Sequence, residues 1–454
     1  MKDYDIIVLG SGCGLELVEQ GSSRGLSVAL VEPGPLGGTC LNVGCIPSKM
    51  LIATADIIAE QDRASKLGVE MYVESIDFAG IMQRMRDSRA ASGEHLGQSV
   101  SDLPGVDLYK TSGAFVDSHE IVVDGQRISG KQVFVAVGGR PFVPPIKGLA
   151  DVDCLTNESL LEMAELPESM IILGGGYIAV EYCHFFSAMG VEVTVLEMAD
   201  RLVTGEEEEI STVLKEELSH RVTIATGMKA EEVQRTSTGV RVVARNTQTG
   251  ESASYEARSL LVAVGRRPNS DVVAADKAGL RMDRRGNIEV DEYMRTNQPG
   301  VWAIGDINGK SMFRHSANVM ALIAAADALH GRQIAMDYSA IPHAVYSYPQ
   351  IASVGMTEAQ ALEAGLEFMV ARAPYTSTAK GEALAEDAGF AKAIVEKQTE
   401  RILGFHIIGP HAPILLQEVV NAMESGGHVD ELVRGVHIHP SLSELIPSVL
   451  AELR

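Results

Sequence analysis

Two cysteines, Cys40 and Cys45, stand five residues apart in the stretch GGTCLNVGCIPSK, in a chain of 454 residues with five cysteines in all. Thiols this close, among glycines and just past a strand of nucleotide-binding type, suit a redox couple, a structural clip or part of a metal site; chance is the fourth reading. In a regular helix, Cα atoms five residues apart lie roughly 8–9 Å from each other, whereas a disulfide wants about 4.4–6.8 Å. A bridge therefore requires a distorted turn between the two. Asn42 and Gly44 tolerate one. Pro47 suits a first helical turn, and a helix N-terminus stabilises a thiolate. Zinc wants about four ligands, usually in close pairs; Cys13, Cys154 and Cys183 are scattered singly and read as inert packed residues. Far along the chain, HIHPSLSE offers His437, His439 and Glu444. Thiol–disulfide exchange needs a base and an acid, and histidine titrates where it can be both. A carboxylate on the second ring nitrogen fixes the tautomer. Ser441 with Glu444 also matches a helix capping box, a structural reading that the nearby Pro447 weakens. His315, in FRHSAN, reads as a helix residue.

Elements must hold these groups. YDIIVLGSGCG reads as a buried strand running into a glycine turn, and LSVALVEPG as a second strand ending at Glu32. Gly10, Gly12 and Gly14 let a backbone approach a pyrophosphate at a helix N-terminus, and Glu32 is placed to bind a ribose hydroxyl. Leu15 stands where the fingerprint prefers a small residue, and Gly21 interrupts the helix, so close helix–sheet packing is not expected here. Residues from about 50 to 110 read as helical. HEIVVDGQRISGKQVFVAVGG suggests antiparallel strands. The strand–turn–helix–strand pattern then repeats in SMIILGGGYIAVEYCHFFSAMGVEVTVLE, where Gly174, Gly176 and Ala179 form GxGxxA and Glu197 ends the next strand. A carboxylate there accepts from a 2′-hydroxyl and repels a 2′-phosphate, which predicts NAD(H) over NADP(H). Two dinucleotide sites imply two carriers, and a flavin is the one that links a hydride to thiols.

The formal net charge of −23 disfavours nucleic-acid binding, which needs clustered Lys and Arg. The run Glu206 to Glu209 reads as a solvated helix N-terminus, where carboxylates suit the dipole. No apolar run approaches the roughly 20 residues that span a bilayer, and MKDYDIIVLG enters a strand at once, without a signal peptide. The chain reads as cytoplasmic, where structural disulfides are rare and a close cysteine pair is more often catalytic or metal-binding.

GGTCLNVGCIPSK resembles the redox signature of the class I flavoprotein disulfide reductases, and GGGYIAVE, AVGRRPN, VWAIGD, YPQIASVG and HIHPSLSE follow in family order along essentially the whole chain. The resemblance implies an α/β fold with two Rossmann-like dinucleotide-binding domains and a C-terminal α+β dimerisation domain. The expected boundaries are 1–147 for FAD, 148–271 for NAD, 272–339 for a segment completing the FAD domain and 340–454 for the interface. It implies that Cys45 lies against the flavin, that Cys40 exchanges with substrate, and that Lys49 and Glu181 pair near the flavin. It implies that Asp306 binds the ribityl–phosphate region, and that Gly38, Thr39, Gly138, Tyr177 and Gly265 also line the cofactor sites, with no metal. His439, oriented by Glu444, would serve the cysteines of the other subunit of a homodimer. HIHPSLSE and Glu197 resemble dihydrolipoyl dehydrogenase, which implies a small dithiol substrate, including a protein-bound lipoyl group. YTSTAKGEALAEDAGFAK, GPHAPILLQ and the Gly14–Leu15 turn resemble mycothione reductase, although Met198 stands where an NADPH site carries a basic residue. The alternatives are therefore a reductase of a low-molecular-weight disulfide, of mycothione or bis-γ-glutamylcystine type, and, from another class, a non-catalytic flavoprotein redox sensor.

Overall fold

Continuous apolar runs such as DIIVL and SMIIL are buried on both faces, as strands in the middle of a parallel sheet must be, and each seeds one sheet. The computed structural model describes residues 1–453, which divide into two compact units. The first comprises Met1–Ser48, Met82–Phe142 and Gly265–Met336. Its main sheet runs Val106–Tyr109, Val28–Val31, Lys2–Leu9, Gln126–Val135, with the first three strands parallel to one another and to the fourth. The long fourth strand is used twice along its other edge. Its first part pairs antiparallel with Glu120–Val123, which continues to Gly113–Asp117; its last part pairs parallel with Val301–Ala303. One core, including Ile7, Leu9, Phe115, Val135 and Ile307, lies on this sheet.

The second unit comprises Lys49–Ile81, Val143–Val264 and Asp337–Arg454. A parallel sheet ordered Thr223–Ala225, Glu192–Leu196, Ser169–Leu173, Ser259–Val262 carries the second glycine turn, beside the antiparallel sheet Met228–Arg235, Val240–Asn246, Ser252–Ala257. A five-stranded antiparallel sheet, His343–Val345, Ile351–Gly355, Ile402–Ile408, Phe390–Glu396, Phe368–Pro374, packs against the helices Ala412–Glu424 and Leu445–Ala451. The fold is of the mixed α/β class. The stretch expected to be helical holds two helices, Cys45–Lys66 and Phe78–Ser101, and then the strand Val106–Tyr109.

Three expectations need correction. Gly21 does not loosen the first helix, Leu15–Ser23. It lies inside that helix, buried, where a Cβ would sit 2.7 Å from Ile6 Cδ1 and 2.9 Å from Val28 Cγ2. The missing side chain lets the helix press onto the sheet, and Gly14 does the same against Gly10 O and Val8. The acidic run is not solvated throughout. Glu208 and Glu209 open the helix Glu208–Ser219, but Glu206 and Glu207 are buried. Glu206 meets His343 and Ser353, each at 2.6 Å, and Glu207 meets the buried Lys392 at 3.0 Å. Finally, Gly38–Lys66 is long and apolar enough, by length and composition alone, to cross a membrane. That stretch breaks at Val43, however, and its Lys49 and Asp56 are bonded to Glu181 and His184 in the folded domain, partners that hydrocarbon does not supply.

Candidate active site

The cysteine turn forms because the helix fails between its two sulfurs. A short helix, Gly38–Asn42, ends at Val43, whose backbone (φ −142°, ψ 17°) leaves the helical region, and a new helix starts at Cys45. Asn42 holds the first segment closed by donating to the carbonyls of Pro35, Leu36 and Gly38. Pro47 falls in the first turn of the new helix, where its missing N–H costs nothing. The turn brings the two sulfurs together, the Cys40 thiol hydrogen-bonded to Cys45. That bond, then burial, pushes the Cys40 thiol far above its ordinary range, against a smaller pull from Arg314. Gly38 (φ +65°) sits where a Cβ would lie 2.7 Å from Gly12 Cα. The glycine turn and the cysteine segment therefore touch backbone to backbone, which only a glycine pair permits.

The first turn suits a dinucleotide. Gly14 leaves the helix Leu15–Ser23 without a side-chain cap, so no side chain covers its N-terminal end. A Cβ on Gly12 would have no atom closer than 3.9 Å, so space is open on that side. Glu32 is pinned at its strand end, accepting from Ser11 N and Oγ at 2.8 and 2.7 Å and from Gly34 N at 2.9 Å. Asp306 lies in the short 3-10 turn Gly305–Asn308, 3.3 Å from the nearly buried Arg266, which also donates to Gly139 O and reaches Thr39 at 3.4 Å. Gly138 and Gly265 precede the two strands of a ribbon, Gly139–Pro141 and Arg266–Pro268. Arg266 and Ser11 carried no signal in the sequence beyond their neighbours.

The second turn repeats the design. Gly174 has φ +108°, and any Cβ there would strike Ala263 O at 2.4 Å. Gly176 caps the helix Tyr177–Ala188 without a side-chain bond and faces open space, while Ala179 is fully buried. Glu197 ends its strand with one oxygen taking Ala199 N–H at 2.6 Å. These donors and open faces fit two dinucleotides. On the same helix Glu181 is buried and takes both its oxygens to Lys49, at 2.7 and 2.8 Å. Tyr346, absent from the sequence reading, donates its N–H to Glu181 at 2.9 Å and lays its ring 4.8 Å from the Lys49 ammonium.

His439 and Glu444 come together. The ring Nδ1 lies 2.9 Å from Glu444 Oε1, while Oε2 accepts from Ser441 N–H at 2.9 Å. Glu444 thus serves as capping residue and histidine partner at once, one oxygen each. The Ser441 N–H and then the His439 ring hold its carboxyl below the ordinary range. A carboxylate only accepts, so Nδ1 carries the proton and Nε2 is the nitrogen turned away from Glu444. The His439 side chain is 70% exposed. His437 instead donates to Glu418 at 2.9 Å, and His315 lies in the helix Arg314–His330, stacked on Phe313.

The model for pyridine nucleotide-disulphide oxidoreductases matches residues 4–327, and the model for their dimerisation domain matches 341–449, which supports a homodimer. Mycothione reductase of Mycobacterium tuberculosis is 33% identical, with 100% of both chains covered. Dihydrolipoyl dehydrogenase of Geobacillus stearothermophilus is 34% identical, covering 98% of this chain and 94% of that one. The HOCl-induced flavoprotein disulfide reductase RclA from Escherichia coli matches with a TM-score of 0.88 at 27% identity, over 99% of this chain and 100% of that one. Two family matches and near-complete coverage lead to one conclusion: this chain belongs to the pyridine nucleotide-disulphide oxidoreductases, enzymes that use FAD and NAD(P)H.

Proposed function

We propose that the chain exchanges electrons between NAD(H) and a small dithiol, acting as a dihydrolipoyl dehydrogenase. The observation that carries the chemistry is the Cys40–Cys45 contact across a broken helix. The NAD preference rests on Glu197 and its surroundings. Met198 beside it is exposed and uncharged. The nearby Arg201 donates to the carbonyls of Glu206 and Thr204, each at 2.9 Å.

In this reading the residues 1–147 and 272–339 hold FAD through Gly10, Gly12, Gly14, Glu32, Gly38, Thr39, Gly138, Gly265 and Asp306. The residues 148–271 hold NAD(H) through Gly174, Gly176, Tyr177, Ala179 and Glu197. Bound flavin supplies the two-electron link between a nicotinamide and thiols. Lys49, paired with Glu181, keeps a cation at that cofactor. In thiol exchange a substrate thiolate attacks Cys40 Sγ of the oxidised pair, forming a mixed disulfide and releasing the Cys45 thiolate. His439 Nε2 takes the first substrate thiol's proton; the second substrate sulfur then attacks the sulfur bonded to Cys40, and its proton goes to the departing Cys40 sulfur. Residues 340–454 form the dimer interface, so His439 serves the partner's cysteine pair. A cysteine couple that must cycle suits a reducing cytoplasm.

A second reading, reduction of a low-molecular-weight disulfide, is supported by the full-length 33% identity to mycothione reductase. Steady-state turnover separates the two. NAD⁺ with dihydrolipoamide should give the highest kcat/KM, above NADH or NADPH with mycothione, bis-γ-glutamylcystine or glutathione disulfide. NADPH-driven disulfide reduction without dihydrolipoamide oxidation would replace the first reading by the second.

A further inference from the structure

The redox helix Cys45–Lys66 and the helix Tyr177–Ala188 are joined by a second polar pair besides Lys49–Glu181. Seven residues after Lys49, on the same face of the helix, Asp56 Oδ1 lies 2.8 Å from Nε2 of the fully buried His184. The other ring nitrogen, Nδ1, lies 3.5 Å from Arg221 Nη1. A guanidinium only donates. Nδ1 therefore accepts, Nε2 carries the proton, and the ring is the neutral tautomer with both nitrogens occupied. Burial, which outweighs the opposing bond to Asp56, keeps its pKa below the ordinary imidazole value.

The chain of contacts returns to the ion pair. Arg221 Nη2 donates to Tyr348 O at 3.3 Å, and its guanidinium lies 5.5 Å from the Tyr348 ring centre. That ring stacks on His184, centres 5.6 Å apart and planes within 22°. Two residues earlier, Tyr346 holds Glu181 by its N–H and Lys49 by its ring. The short strap from Tyr346 to Tyr348 is thus fastened at one end to the Lys49–Glu181 pair and at the other to His184 and Arg221. None of these contacts involves the reacting sulfurs.

We propose that His184 is a positioning residue for the Lys49–Glu181 pair, acting through Asp56 on the redox helix and through Tyr348 on the strap. Side chains at a reacting centre keep their geometry only when a supporting shell locks them, and His184 meets both elements that carry Lys49 and Tyr346, Asp56 by a hydrogen bond and Tyr348 by ring stacking. The proposal rests on the reading that Lys49 and Glu181 stand beside the bound flavin.

The test uses the FAD-loaded enzyme with four variants chosen by which atom they keep. Asp56→Ala and His184→Asn remove the Nε2–Oδ1 bond. Asp56→Asn keeps an acceptor oxygen, and His184→Gln places an amide donor near the Nε2 position. In Asp56→Ala and His184→Asn the visible absorption of the oxidised flavin should shift, and its anaerobic reduction by NADH should slow about tenfold. Thiol alkylation of Cys40 should stay unchanged. Asp56→Asn and His184→Gln should recover to within about twofold of the parent. Nitrogen-15 NMR of histidine-labelled protein should show His184 neutral with its proton on Nε2. A wild-type spectrum and reduction rate in Asp56→Ala, with only a lower melting temperature, would reduce the pair to a structural tie and overturn the proposal. So would a proton on Nδ1. Because Asp56 is partly exposed, its variants stay informative if the His184 variants fail to fold. A Lys49→Met enzyme with a parental spectrum and rate would instead remove the role of Lys49 itself.

Discussion

At the scale of residues, the Cys40–Cys45 contact holds the proton on the Cys40 thiol. The Cys40 thiol is raised first by its hydrogen bond to Cys45 and second by burial. Cys45→Ala removes the first cause and leaves the second, so the pKa of Cys40 should fall toward the ordinary thiol value of about 8.5 without reaching it. Iodoacetamide alkylation of Cys40, followed against pH, should shift to lower pH in that variant; an unmoved profile would mean that burial alone raises the thiol. The residue types were legible in the sequence because redox and acid–base chemistry needs particular side chains. Their second partners were not. Nothing in the spacing of Ser441 and Glu444 says that one carboxylate splits between a backbone N–H and an imidazole, since that depends on a three-dimensional turn.

At the scale of elements, small residues decide how closely backbones approach. Gly21 illustrates why a propensity argument misreads such a position: glycine weakens an isolated helix, yet here it removes a collision with Ile6 and Val28. Gly21→Ala should therefore destabilise the protein by about 1–3 kcal/mol through overpacking, opposite in sign to the gain that alanine brings to an exposed helix. Urea denaturation measures it, and a stabilised variant would refute the packing account. Gly38 against Gly12 is a second such contact, and Gly38→Ala should lower FAD occupancy, read from the ratio of visible to ultraviolet absorbance. The glycine turns themselves were legible because their φ values and open faces follow from a short motif. The break at Val43 between the two cysteines was legible only as a requirement.

At the scale of the whole molecule, the buried ionic cluster shows what no local pattern reveals. His343 is pushed down by burial but pushed up more strongly by its bond and charge interaction with Glu206, so its pKa is raised. Ser353 holds the second oxygen of Glu206, and His406 lies within electrostatic range of both. A raised imidazole stabilises the fold fully below the unfolded value of about 6.5 and loses that contribution as pH rises through the folded value. The urea midpoint of the parent should thus exceed that of His343→Gln most at acidic pH, and the gap should close as pH rises; a pH-independent gap would exclude the charged pair. If His439 serves the partner's cysteines, mixing inactive Cys40→Ser and His439→Ala subunits should restore about a quarter of the sites by random exchange between dimers, and no recovery would place each site within one chain. The sequence by itself determined the chemistry and its scaffolds: thiols, histidine, glycine turns and acidic strand ends are specified by residue type and short-range spacing, and backbone geometry follows from them. Only the tertiary structure decided that Glu206 and Glu207 are buried beside His343 and Lys392, that Tyr346 closes over Lys49, and that Asp56 meets His184. Each of these joins residues more than a hundred positions apart, and burial is a property of the packed chain.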